Sequence, residues 1–373
     1  IRVERPASGD YARAYDERVK GMASHFVWTN RSKESLTLDV KHPEAQKILK
    51  RLIVESADVV VQNLAPGAAA RLGLSYAALA EVKPQIIVCD ISGYGEDGPY
   101  RDKKAYDLLI QSESGFISVT GTPEEPAKAG LSIADVAAGM YAYTNVLAAL
   151  INRQKTGRGQ HIDISMLESL VEWMSFPLYY AFDGAAPPSR AGASHATIYP
   201  YGPFPAGDGS IVMLGLQNER EWAAFCDKVL LDRALAKDER FSNNSKRSAA
   251  RAGLRALMVA ALGSLSGEQA VARLDAAQIA NARVNTMHDV WNHPQLKARE
   301  RWREVGTPAG NIPALLPPGS WEEGAPPMDA VGYGDFQPVL NRLSKEGRWD
   351  ELGSYIDQSF LDAFATSGRQ GRR

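Results

Sequence analysis

Asp58-Val59-Val60-Val61-Gln62-Asn63 is the stretch on which the reading of the fold turns. A short unbroken apolar run closed by polar residues is the pattern of a strand covered on both faces, as in parallel sheets. Ile86 to Ile91 repeats that pattern, and Tyr76 to Val82 between them has helical spacing. Strand, helix and strand in this rhythm predict a doubly wound α/β domain. Working towards the start, Pro43 to Glu55 reads as an amphipathic helix through Ile48, Leu49, Leu52 and Ile53. Before it, Ser35-Leu36-Thr37-Leu38-Asp39 alternates at period two, as a strand does. Ile1-Arg2-Val3-Glu4-Arg5-Pro6 alternates too, so the sequence reads as if a preceding βα unit were missing from its start. In such sheets ligands collect at loops beyond the carboxyl ends of strands, which directs attention to the loops after Val61 and Ile91.

Working towards the end, Asp135 to Arg153 is rich in Ala and Leu and reads as a long helix. Lys155-Thr156-Gly157-Arg158-Gly159 closes it with glycines and a basic last turn. His161 to Met166 alternates as a strand. Gly184-Ala185-Ala186-Pro187-Pro188 marks a linker, and a smaller unit with a hairpin around Ala206-Gly207-Asp208-Gly209 follows it. A second Pro/Gly-rich stretch runs from Gly306 to Pro327, and the ending from Ser367 to Arg373 is polar.

The totals narrow the classes of function. With 373 residues, 45% of them hydrophobic and 23% charged, the chain fits a globular protein of two domains. A formal net charge of −2 gives no global basic field for nucleic acid. No run of 18 apolar residues occurs, so no membrane span is expected. Cys89 and Cys226 stand far apart and outside any metal-ligand spacing, which fits a reduced, cytoplasmic setting. The six histidines form no H-E-x-x-H pattern, and no G-x-S-x-G elbow is present, so neither a metal site nor a serine nucleophile is expected.

Two constellations carry chemistry, each beside a plainer reading. Asp135, in Ser132-Ile133-Ala134-Asp135-Val136, reads as a helix N-cap. The helix dipole there would also keep a carboxylate ionised, as a nucleophile requires. Asn63-Leu64-Ala65-Pro66-Gly67, followed by Arg71-Leu72-Gly73, reads as a turn or as one wall of a phosphate-binding crevice. Lys33, Lys41, Lys103 and Lys104 are surface lysines unless a shared crevice makes them phosphate partners. Ser92-Gly93-Tyr94-Gly95 lacks the spacing of a dinucleotide-binding loop.

Taken together these segments resemble the third family of CoA transferases, related to the carnitine, formate and bile-acid CoA transferases and to 2-methylacyl-CoA racemase. The matching motifs are Val3-Glu4-Arg5-Pro6 with Gly9-Asp10, Asn30 to Lys33 running into Leu38-Asp39, and Asn63 to Gly67 with Arg71-Leu72-Gly73. Next come Ser92 to Gly95 with Gly98-Pro99-Tyr100, Tyr106-Asp107, Ala134-Asp135 with Gly139, Thr156 to Gln160, and Asp163 to Met166. Each is weak alone; the ordered set is specific and covers nearly the whole chain.

The resemblance implies that Asp135 is the nucleophile attacking an acyl-CoA thioester. It implies a CoA site lined by Arg5, Leu38, Lys41, Asn63, Leu64, Arg71, Leu72, Lys104, Tyr106 and Met166. Acyl-CoA is then a substrate, a carboxylic acid its partner, and no cofactor is held permanently. The implied architecture is α/β, a Rossmann-like large domain with a smaller α+β domain, in a homodimer of interlocked rings. Its divisions are 1–183 for the first part of the large domain, 184–198 for a linker and 199–300 for the small domain. Residues 301–373 form a linker and a return to the large domain.

Glu34 stands where the family usually has arginine, Leu64 where an aromatic is common, and the glycine-rich small-domain loop of formyl-CoA transferases is missing. That absence argues against formate and oxalate. Asn30 to Thr37 and Ile279 to Asn285 look like the mesaconyl-CoA C1–C4 transferase branch, so succinyl, mesaconyl, itaconyl or citramalyl groups are expected. Arg283 is a candidate cation for the free carboxylate of such an acyl group, or a surface charge. Two alternatives stay open. A racemase would need a base where Tyr106 stands, and tyrosine is a poor base near neutral pH. A non-catalytic CoA-binding protein would use Asp135 only as a cap.

Overall fold

The computed structural model describes residues 1–316 and Pro318. The strands are β1 (Arg2–Glu4), β2 (Ser35–Thr37), β3 (Val59–Gln62), β4 (Ile87–Ser92), β5 (His161–Ser165), β6 (Tyr201–Pro205), β7 (Ile211–Gly215), β8 (Ala280–Arg283), β9 (Trp302–Val305) and β10 (Ile312–Leu315). The helices that matter here are α1 (Pro43–Ser56), α2 (Tyr76–Val82), α3 (Asp107–Glu113), α4 (Ile133–Thr156) and α5 (Met166–Trp173). The chain is a mixed α/β protein of two compact units.

The first unit joins Ile1–Ser92, Tyr141–Ile164 and the described residues from His293 onward. Its parallel β3–β4 pair, Val59 opposite Ile87 through Gln62 opposite Asp90, is the predicted βαβ unit with α2 in the crossover. β5 completes that sheet in the order β3-β4-β5. β1 lies parallel to β2. Leu36 and Leu38 from the β2 region, Leu49 and Leu52 of α1, Leu79 of α2 and Val88 of β4 close one dry core. Nine buried Leu, Ile and Val side chains, each contributing about 1.5–3 kcal/mol on burial, hold these elements together. The glycines of the Thr156-Gly157-Arg158-Gly159 motif prove to be steric. Gly157 takes φ +69, the left-handed turn that ends α4, and a Cβ on Gly159 would overlap the Ile86 carbonyl.

Within 306–327, the predicted Pro/Gly-rich stretch, β10 pairs antiparallel with β9 as far as Leu315. Lys20 Nζ donates to the Asn311 carbonyl at 2.7 Å, and the Arg31 guanidinium donates to the Leu315 carbonyl. The predicted return of 301–373 to the large domain lies, beyond residue 316, outside the described residues.

The second unit joins Gly93–Met140 and Ser165–Asn292. Its antiparallel sheet β6-β7-β8 contains the predicted hairpin, Tyr201 opposite Gly215 through Pro205 opposite Ile211. Trp222, Phe225, Phe241, Leu254, Met258 and Leu274 are buried in one cluster with Phe204 and Leu214 of that sheet. Gly184 ends a short 3-10 helix, Phe182–Gly184, and the rest of the segment 184–198 is irregular. Arg190 pins it by donating to the Thr122 and Pro123 carbonyls, both at 2.9 Å.

α4 spans 24 residues, beginning two residues before and ending three after the predicted helix. Among the described residues it is the one helix long and apolar enough to cross a membrane, a property core helices share. Its Ala137, Ala138, Ala142 and Ala149 are buried in protein, whereas Met140, Tyr143, Leu147 and Ile151 form an exposed apolar stripe at helical spacing.

Candidate active site

α4 places Asp135 in its first turn, since the helix begins at Ile133. This corrects the reading of Asp135 as an N-cap: two residues of the helix precede it, so its carboxyl is not the group that opens the turn. The cap is tertiary instead. Asp107, the first residue of α3, accepts the Ala134 amide on Oδ1 at 2.8 Å and the Gln111 side-chain amide on Oδ2 at 2.7 Å. Gln111 is wholly buried, and its Oε1 accepts the Ala129 amide at 2.9 Å. Ile110, Ala134 and Leu170 form a dry core beneath these bonds, with Met166, Ile133 and Ala105 packed against it.

Asp135 itself is exposed. Burial of part of its carboxyl by the surrounding chain nevertheless raises its pKa above the ordinary aspartate value, and the like charge of Asp107 raises it further. The dipole favours the ionised form, whereas desolvation and a second carboxylate act against it.

The other expected site residues of the second unit stand around the start of α3 and α5. Tyr106 precedes α3 in extended conformation and is 73% exposed, so its ring is free to meet a ligand. Lys104 is exposed two residues earlier. Lys103 lies over the rings of Tyr94 and Tyr100, at 5.2 and 4.4 Å, and pairs with Glu113. Met166 opens α5, half-buried against the same core as Ala134. Arg283 ends the edge strand β8 and is exposed. Asp289 is held below the usual carboxylate range mainly by hydrogen bonds from Thr286, with Arg283 a further cause, so the arginine already faces an acid.

In the first unit the expected residues follow the carboxyl ends of β1, β2 and β3. Arg5 donates to the Tyr11 hydroxyl at 3.0 Å and lies 4.1 Å over its ring. Lys41, Asn63, Leu64 and Arg71 are exposed. Leu38 is 1% exposed and Leu72 is half-buried against the same core, so the side chains of both serve that core. Pro66-Gly67 makes the turn the sequence promised, with Gly67 at φ +71 before a short helix, Ala68–Arg71.

Sequence reasoning missed the network that shapes this loop. Asp90, at the end of β4, accepts from Gln62 Nε2 at 2.8 Å and meets His161 Nε2 at 2.9 Å. Gln62 Oε1 in turn accepts the Leu64 amide at 2.7 Å. Tyr76 stacks on His161 at 5.8 Å and donates to the Gly159 carbonyl at 3.1 Å. Polar residues ending two adjacent strands were the available signal. Asp107 and Gln111 were missed as a pair, although i and i+4 on one helix is a contact spacing.

Both cysteines are buried and free. Burial pushes the Cys89 thiol up to about 11 and that of Cys226 up to about 12, so neither is a thiolate near neutral pH.

Comparison with known proteins identifies the family. The family model for CoA-transferase family III matches residues 1–329. A succinate–glutarate CoA-transferase of Agrobacterium fabrum is 33% identical over 307 residues, covering 80% of this chain and 76% of its own. An acetyl-CoA:oxalate CoA-transferase of Acetobacter aceti is 32% identical over 354 residues, 93% of this chain and 86% of its own. The crystal structure of a CAIB/BAIF family protein from Brucella suis superposes with a TM-score of 0.76 at 32% identity, covering 94% of this chain and 90% of that one. The chain belongs to CoA-transferase family III and is an enzyme of that family.

Proposed function

We propose that this enzyme moves CoA between a short dicarboxylic acyl-CoA and a free carboxylic acid, with Asp135 as nucleophile. The single observation that carries the reading is an exposed carboxylate in the first turn of α4 whose neighbouring amides are anchored by α3. Its oxygen attacks the thioester carbonyl, the C–S bond breaks, CoA leaves as thiolate, and a mixed anhydride joins the acyl group to Asp135. The thiolate then attacks the Asp135 carbonyl of the anhydride, which releases the donor acid and leaves CoA on Asp135 as a thioester. The acceptor carboxylate attacks that thioester, expelling CoA thiolate and forming a second anhydride. The thiolate attacks its acceptor carbonyl, giving the new acyl-CoA and free Asp135, so that one difficult exchange is divided into easier substitutions. These steps transfer no electrons, and acyl-CoA serves as substrate.

The cations Arg5, Lys41 and Arg71 of the first unit and Lys104 of the second are suited to CoA phosphates, and the exposed ring of Tyr106 to a stacked or apolar part of the ligand. The dicarboxylic class is supported by the relative named for succinate and glutarate. Further relatives carry D-citramalate and mesaconate in their names. The relative named for oxalate takes a shorter member of the same class, which weighs against excluding oxalate on a missing glycine loop alone. Tyr106 in place of a histidine base keeps racemisation the lesser reading.

The exposed stripe of Met140, Tyr143, Leu147 and Ile151 supports the interlocked homodimer, since apolar surface of that extent calls for a cover. A cytoplasmic setting fits two free thiols. The test is a panel of acyl-CoA donors against mono- and dicarboxylic acceptors, with hydroxylamine or borohydride added to trap the anhydride. Transfer to C4–C5 dicarboxylates with a label on Asp135 is expected. Transfer only to monocarboxylic or aromatic acids would reject the substrate class, and turnover with no trapped Asp135 would reject the mechanism.

A further inference from the structure

We propose that Asp107 and Gln111 are positioning residues that fix where Asp135 stands, by bolting both ends of the segment 129–134 to one helix. The proposal rests on the reading of Asp135 as nucleophile and adds to it the groups that set its place.

The geometry is specific. Gln111 Oε1 holds the Ala129 amide at 2.9 Å, and Asp107 Oδ1 holds the Ala134 amide at 2.8 Å. Both holding groups belong to α3, and the 2.7 Å bond from Gln111 Nε2 to Asp107 Oδ2 makes them one unit. The residues between the two anchors, Gly130 to Ile133, are those that deliver the chain into α4 and so to Asp135.

A cap from the helix's own preceding residue would satisfy the same amide while leaving the helix free to shift as a body. A cap from another helix fixes the start of α4 against α3. Gln111 and Ala134 are both fully buried, so a lost bond there cannot be replaced by water, and the contact is stiff. Tyr106 immediately precedes α3, so the same helix carries one expected ligand contact and the anchor of the nucleophile. A misplacement of about 1 Å at a reacting group costs on the order of 10²-fold in rate, which is the scale on which such an anchor acts.

Asp107 also bears on the chemistry of Asp135: burial is the larger cause of its raised pKa, and the negative charge of Asp107 adds to it and makes the carboxylate more basic. Asparagine at 107 keeps an acceptor for the Ala134 amide and removes that charge, but it sets an NH2 against Gln111 Nε2 and so loses the bond to Gln111. Alanine removes the charge and both bonds, so the Ala134 anchor is what separates the two variants.

The experiment measures kcat, KM and pH profiles for Asp107→Asn, Asp107→Ala and Gln111→Met, with active sites counted by trapping the anhydride on Asp135. Asp107→Ala and Gln111→Met are expected to lower kcat per trapped site by about 10–100-fold, with KM for acyl-CoA within about twofold of wild type. Asp107→Asn is expected to lose less kcat and to move the acidic limb of kcat/KM to lower pH, since a like charge has gone. Unchanged kcat per trapped site in Asp107→Ala and Gln111→Met, with only a lower Tm, would overturn the proposal. So would an unmoved acidic limb in Asp107→Asn, which decides the matter should the alanine variant fail to fold. Full transfer in Asp135→Ala would instead overturn the underlying assignment of the nucleophile.

Discussion

Replacing Asp135 by alanine or asparagine should abolish transfer and leave the fold as stable as before, or slightly more so. The carboxyl accepts no hydrogen bond among the described residues, because Asp107 holds the amide a cap would serve. Losing it forfeits a helix-dipole interaction of about 0.3–1 kcal/mol. Against that stand the partial desolvation of the carboxyl and its repulsion by Asp107, both of which end with the substitution. The balance lies within about 1 kcal/mol of zero, and within about 1–2 °C in Tm for a chain of this size. Its pH dependence has a definite sign. The folded-state pKa lies above the unfolded value, so the native state binds the proton more tightly and loses that advantage as pH rises through the folded pKa. The Tm of either variant, relative to wild type, should therefore climb as pH rises from the ordinary aspartate value through the raised folded-state pKa. Activity should fall by at least about 10³-fold, as for removal of a covalent nucleophile. Calorimetry across that pH range and a transfer assay with anhydride trapping measure both arms. A loss of more than about 2 kcal/mol, with the surviving folded fraction fully active, would show Asp135 to be a structural residue and refute the reasoning.

Arg71→Ala and Lys104→Ala should each raise KM for acyl-CoA with kcat at saturation less affected, since a charge-assisted phosphate contact is worth about 1.5–3 kcal/mol; unchanged KM in both would remove them from the site. Arg283→Met should raise KM for a C4–C5 dicarboxylyl-CoA far more than for a monocarboxylic acyl-CoA, whereas equal effects would leave Arg283 as a partner of Asp289 alone. Sedimentation at micromolar concentration should find a dimer, and Tyr143→Glu, which sets a charge into the exposed stripe of α4, should weaken it; a monomeric wild type would contradict the interlocked assembly.

The βαβ unit was legible because a buried parallel strand leaves a local mark: Val59 to Val61 and Ile86 to Cys89 are apolar without a break, and pairing follows from the crossover between them. The hairpin of β6 and β7 was legible for the same reason, its turn being written in Ala206 to Gly209. The opening of α4 was misplaced because its cap comes from 27 residues upstream, across a gap that no local pattern records. What raises the Asp135 pKa was not legible, because desolvation and the approach of Asp107 are both products of the fold. Leu38 and Leu72 were named as ligand contacts from a resemblance, which transfers positions without saying whether side chain or main chain is the part that matters.

The burial of Cys89 and Cys226 has a consequence for any protein that handles thioesters. An exposed thiolate would accept acyl groups from acyl-CoA by transthioesterification and slowly label the protein with its own substrate. With thiols held neutral up to about 11 and 12 inside two separate cores, the native chain offers acyl-CoA no competing sulfur. The same arrangement makes the folded protein silent towards a disulfide reagent such as Ellman's. Free CoA can thus be counted in its presence without background, and the appearance of two protein thiols per chain becomes a direct report of unfolding.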